Sequence, residues 1–122
     1  MHKVIKFKNY RYKKRSTFIG NSRVYNGKTY DSTFEAQVAQ DLDCQLEDGL
    51  ISKWERQVKM DLSVYGSHIC NYYVDFKVTY NDGSLEFIEV KGIEFGLWKF
   101  KWRLFEVLFN KEYPGVTLTV IK

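Results

Sequence analysis

Along residues 32–48 apolar side chains recur at three- and four-residue spacings, with Val38, Ala39, Leu42 and Leu46 on one stripe. Ser32 stands before the run and Gly49 just after it, a start and a stop that predict a helix over 32–48. From Lys53 to Tyr65 the period changes to two: Val58, Met60, Leu62 and Val64 share one face, Gln57, Lys59, Asp61 and Ser63 the other. That alternation predicts a half-buried strand. Residues 70–80 and 84–92 are β-rich runs with apolar groups on both faces, separated by Asn81-Asp82-Gly83. They predict a hairpin in the middle of a sheet covered on both sides. Leu97–Lys111 has helical spacing, and Val116–Ile121 is a last strand after the Pro114-Gly115 turn. A short turn at Asn26-Gly27 precedes all of these. The expected order is helix, three strands, helix, strand, an α/β sandwich in a single domain over 24–122.

Composition adds few constraints. A chain of 122 residues with 44% hydrophobic and 17% aromatic residues has enough apolar mass for one core. No run approaches the roughly 20 apolar residues of a membrane span, and no secretory signal is visible. Cys44 and Cys70 lack metal-ligand spacing and read as reduced thiols of a cytoplasmic protein; with only His2 and His68, zinc chemistry has little support. Charge is more informative. Residues 1–30 hold nine Lys or Arg and no acid, while the remaining 92 hold ten basic and fifteen acidic residues. The basic part, residues 1–23, reads as an arm in which Lys6, Lys8, Arg11, Lys13, Lys14 and Arg15 interleave with Phe7, Tyr10 and Tyr12. Such a mixture suits phosphates and bases, so these six residues are candidate DNA contacts. A solvated tail is the plain alternative.

Candidate chemistry depends on the register of the 70–92 hairpin. If Asn81-Asp82-Gly83 forms a three-residue loop with glycine left-handed, Tyr80 pairs with Ser84 and Asp75 lies opposite Glu89. Their side chains then share a face, and Lys91 joins them. A two-residue Asp-Gly loop sets Asp75 against Val90 instead and sends Glu89 to the other face. Two carboxylates together on a covered sheet repel each other, and a divalent cation resolves the conflict. A cross-strand salt bridge to Lys91 or Lys77 is the bland alternative.

Both predicted helices carry a charged residue on an otherwise apolar side. Glu35 falls within the first helix's stripe, and Lys101 lies among Leu97, Leu104 and Leu108, opposite the polar face of Lys99, Arg103, Glu106 and Asn110. Ser32-x-x-Glu35 also fits a capping box, and Lys101 could extend past its neighbours to water.

These residues carry a resemblance. Glu35 on the first helix, Asp75 on the second strand and Glu89-Val90-Lys91 on the third, in αβββαβ order, resemble the PD-(D/E)XK nuclease superfamily, nearest its small phage members such as Holliday-junction resolvases. The segments concerned are Tyr30–Ala36, Tyr73–Phe76, Glu89–Gly92 and Lys101–Glu106. Val74 stands where the motif name has proline. The resemblance implies a restriction-endonuclease-like core, a mixed central sheet flanked by helices. It implies Mg²⁺, with Mn²⁺ as a substitute, bound by Asp75, Glu89 and the Val90 carbonyl. Lys91 would position the attacking water, Glu35 would support the metal shell, and Lys101 would match an extra helix-borne polar residue. The expected function is a Mg²⁺-dependent endonuclease for four-way or branched DNA, acting as a homodimer with no membrane partner. A nicking or restriction-like nuclease and a non-catalytic nucleic-acid-binding protein are the alternatives.

Overall fold

The computed structural model describes residues 2–5, 22–90 and 96–121. In chain order it contains β1 (His2–Ile5), β2 (Val24–Tyr25), β3 (Lys28–Thr29), α1 (Thr33–Glu47), β4 (Ile51–Val64), β5 (Ser67–Tyr80), β6 (Leu85–Val90), α2 (Leu97–Glu112) and β7 (Thr117–Ile121). Strands β2 and β3 form a separate small hairpin. The main sheet is mixed, in the order β1-β7-β6-β5-β4. Strands β4, β5 and β6 pair antiparallel, while β6–β7 and β7–β1 are parallel. From α1 onward the order is the expected helix, three strands, helix, strand. Strand β1 is an addition: residues 2–5 fall in the stretch read as a basic arm, yet they extend the sheet beyond β7.

Local chemistry accounts for the elements. Ser32 caps α1, its hydroxyl accepting from the Glu35 N–H at 3.1 Å. At the other end Gly49 takes φ 74°, and Leu50 N–H donates to Gln45 O at 2.9 Å, closing the helix in the left-handed manner open to glycine. The 81–83 loop has the three-residue form. Gly83 takes φ 87°, Gly83 N–H donates to Tyr80 O, and Tyr80 N–H donates to Ser84 O at 2.9 Å. Thr79 pairs with Leu85 and Phe76 with Ile88, the register that sets Asp75 toward Glu89.

Two apolar cores lie on opposite sides of β6. Ile88 packs with Ala36, Val38, Ala39 and Leu42 of α1, whereas Phe87 packs with Trp102, Phe105 and Phe109 of α2. Adjacent residues of a strand face opposite ways, so the sheet has one helix on each side. In α1, Leu46 is exposed, while Asp41 and Gln45 are buried, Gln45 Nε2 donating to Asp41 Oδ2 at 2.7 Å. In α2 the face turned to the sheet centres on Trp102, Phe105 and Phe109; Leu104 and Leu108 pack at its flank beside half-buried Lys101, and Leu97 is exposed. The aromatic rings bury more apolar area than the leucines, and that decides the helix rotation.

The long β4–β5 ribbon serves both cores in turn. Trp54, Phe76 and Val78 contact the α1 core; Val58, Met60, Leu62, Tyr72 and Val74 contact the α2 core. Arg56 pairs with Phe76 and Val58 with Val74, so the exchange falls between those pairs, at Gln57 and Asp75. Gln57 has φ 51°, a left-handed value that non-glycine residues rarely adopt. Pairing of β5 with β6 also ends at Phe76 and Ile88, whereas β5 stays paired with β4 through Ser67. The sheet thus forks at Asp75.

Candidate functional site

At the fork, β5 and β6 exchange side-chain to main-chain hydrogen bonds instead of ladder bonds. Glu89 Oε1 accepts from the Asp75 N–H at 3.2 Å, and Asp75 Oδ2 accepts from the Val90 N–H at 2.8 Å. Both side chains are buried. Each carboxylate is fixed by the backbone of the other strand, so the two acids hold the mouth of the fork together. Hydrogen bonds to a charged acceptor contribute roughly 1.5–3 kcal/mol each. The remaining oxygens have partners as well. Tyr72 donates its hydroxyl to Glu89 Oε2, and Gln57 Nε2 donates to Asp75 Oδ1 at a long 3.4 Å.

Glu35 reaches the same place from α1. It is 6% exposed, accepts from the Ser32 hydroxyl at 3.2 Å and shares a hydrogen bond with Asp75. Burial, then the charge of Asp75 and of Asp31, pushes its carboxyl up from 4.5 to about 8; the Ser32 hydrogen bond opposes this only in part. The capping box is therefore half made: Ser32 caps the helix, and the Glu35 carboxyl turns toward Asp75.

Of the sequence-derived residues, the structure joins Glu35 to Asp75 and the Asp75 main chain to Glu89, with the Val90 N–H on Asp75. Lys91 lies outside the described residues, as do Lys6, Lys8, Arg11, Lys13, Lys14 and Arg15. Lys101 is half-buried on the flank of α2, its Nζ 5.1 Å from the centre of the Trp98 ring, and no described contact joins it to the three acids.

Two contributors were missed from sequence. Tyr72 looked like one of many aromatics. Gln57 looked like the polar side of a regular strand. The two-residue turn at Tyr65-Gly66 alone sets it opposite Val74; an irregularity between Leu62 and Ser63 shifts the register by one and brings it opposite Asp75, which no residue type there announces.

The matched span of a family comparison runs over residues 15–122. The chain belongs to the DUF1064 family. Its description is protein of unknown function (DUF1064), and the DUF1064 span contains Glu35, Gln57, Tyr72, Asp75 and Glu89. No curated protein and no solved structure matches the chain.

Among the described residues no three His, Cys, Asp or Glu side chains form a ready-made metal cage. The donors at the fork are nonetheless of the type a hard divalent cation takes: carboxylate oxygens, with water and substrate oxygens completing the shell. Among the described groups that shift the Glu35 carboxyl, burial comes first and the acids Asp75 and Asp31 next. In donor type, though not as a ready-made cage, the residues suit such an ion. No helix among the described residues is long and apolar enough to cross a membrane.

Proposed function

We propose that the chain is a divalent-metal-dependent endonuclease acting on DNA, with the fork of β5 and β6 as its active site. The reading rests on one observation: Asp75 and Glu89 lie at the same hairpin position, cross-bonded to each other's strands, with Glu35 added from α1. Buried acids so close together are costly unless something positive joins them. The PD-(D/E)XK resemblance gives that positive group a role in phosphodiester hydrolysis.

On this reading Asp75, Glu89 and the Val90 carbonyl hold Mg²⁺, with Mn²⁺ as a substitute. The ion, when bound, supplies Lewis acidity and a more acidic water. Tyr72 fixes the Glu89 carboxylate, and the Val90 N–H fixes that of Asp75, so neither acid must reorganise as charge develops. Lys91 follows Val90 directly and would orient the attacking water. The basic N-terminal residues suit a polyanionic substrate. A cytoplasmic homodimer cutting four-way or branched DNA, as a phage resolvase does, is the specific form proposed.

The decisive experiment incubates purified chain and Asp75→Asn with four-way-junction, nicked and linear duplex DNA in Mg²⁺. Cleavage by the wild type alone, strongest on the junction, is expected. Preference for linear or nicked duplex would indicate a restriction-like or nicking enzyme. Full activity in Asp75→Asn, or no cleavage of any substrate in Mg²⁺ or Mn²⁺, overturns the reading.

A further inference from the structure

The buried stripe of α2 does not stop where the core stops. At about 100° per residue, Trp98 lies on the same stripe as Trp102, Phe105 and Phe109. Those three are 9%, 1% and 2% exposed, yet Trp98 is 68% exposed. Its neighbours Leu97 and Phe100 are exposed to a similar degree. The first turn of α2 therefore overhangs the core, presenting an indole and a phenyl ring to solvent.

That overhang is next to the acids. Trp102, one turn on, stands 6.0 Å from the Tyr72 ring centre to centre, and the Tyr72 hydroxyl holds Glu89. The turn is also basic. Lys99, Lys101 and Arg103 interleave with the aromatics, and Glu106 is the first acid of the helix. The Lys101 ammonium sits over the Trp98 ring at 5.1 Å, where it holds the indole without covering it. Protein–protein interface cores are depleted in lysine, whereas exposed aromatics among cations are the usual platform for single-stranded nucleic acid.

We infer that the first turn of α2 is a stacking platform for an unpaired nucleobase, one turn from the residues that reach the proposed cleavage site, with the exposed Trp98 indole as its surface. This rests on the nuclease reading for its purpose, but not for its test. On this inference the chain favours DNA with strand ends, gaps or junctions, where bases can leave the stack, over continuous duplex.

The test is binding in EDTA, which needs no catalysis. The full chain, Trp98→Ala and Trp98→Phe are titrated against a 15-nucleotide single strand carrying 2-aminopurine and against a blunt duplex of the same length. Trp98→Ala is expected to weaken single-strand binding about tenfold and remove the 2-aminopurine response, with duplex binding changed less than about twofold. Trp98→Phe should retain most of the affinity. Equal losses on both DNAs, or no loss, overturns the inference, as does a shift from dimer to monomer in sedimentation of Trp98→Ala, which would make the patch an interface between two copies. If the wild type fails to cleave in Mg²⁺ but the single-strand discrimination stands, only the nuclease reading falls.

Discussion

Glu86 and Glu89 lie three residues apart on one six-residue strand. Glu86 is enclosed by hydroxyls: Tyr80 donates to Oε1 at 2.6 Å and Thr119 donates to Oε2. Burial and this carboxylate hold the Tyr80 hydroxyl well above its ordinary range. Glu89 has a hydroxyl too, from Tyr72, but its other oxygen accepts from the main chain of Asp75, an acid that in turn faces Glu35. One carboxylate fastens β6 to its neighbours. The other stands next to an acid pair, Asp75 and Glu35, whose repulsion shows in the raised Glu35 carboxyl. On the proposed reading, that difference separates a structural acid from a functional one more sharply than burial does.

The largest expected effect breaks the pair apart. Glu89→Gln should lower Mg²⁺-dependent cleavage on the order of 10³-fold or more while costing only about 1 kcal/mol of stability in urea, since the amide oxygen still accepts one of its two hydrogen bonds. Glu86→Leu should do the reverse. It should hold cleavage within about threefold but lose roughly 2–3 kcal/mol, because the Tyr80 and Thr119 hydroxyls lose their acceptor. If the two variants respond alike in both assays, the distinction fails.

A smaller effect concerns pH. The folded chain binds the Glu35 proton more tightly than the unfolded chain does. The resulting stabilisation is complete below the ordinary 4.5, declines as pH rises, and is gone above about 8. Unfolding free energies from urea titrations in EDTA should therefore fall from pH 5 to pH 9 by on the order of 2 kcal/mol more for the wild type than for Glu35→Gln. Parallel profiles would mean that Glu35 carries no such burden. The smallest effect is at Gln57. Glycine suits its φ of 51°, so Gln57→Gly should gain about 1 kcal/mol in stability and lose activity only a few-fold, since the bond to Asp75 is long. A net loss of stability would show that the side chain holds the pivot.

The sequence was most readable where local rules act. The Ser32 cap, the Gly49 stop and the three-residue loop closed by Gly83 each follow from one or two residues, and the loop alone carries Asp75 to Glu89. It was least readable where elements compete. The rotation of α2 depended on how much area three aromatics bury against a sheet that was not yet in place, so the centre of its buried face fell on Trp102, Phe105 and Phe109, with Lys101, Leu104 and Leu108 on the flank. The fork was hidden because Gln57 breaks the alternation in φ and not in polarity. Strand β1 was missed because four residues among so many cations read as part of the arm, and its partner β7 is more than a hundred positions away.

That fifth strand has a consequence for reach. Ile5 stands level with Ile121, and Ile121 with Val90, so three parallel strands finish abreast on one rim of the sheet. At nearly 5 Å per strand spacing, Ile5 stands about 10 Å from Val90. On the proposed reading, β1 therefore ends on the same rim of the sheet as the acids of the site. Removing residues 1–5 would take away an outer strand and leave the edge of β7 open at that rim.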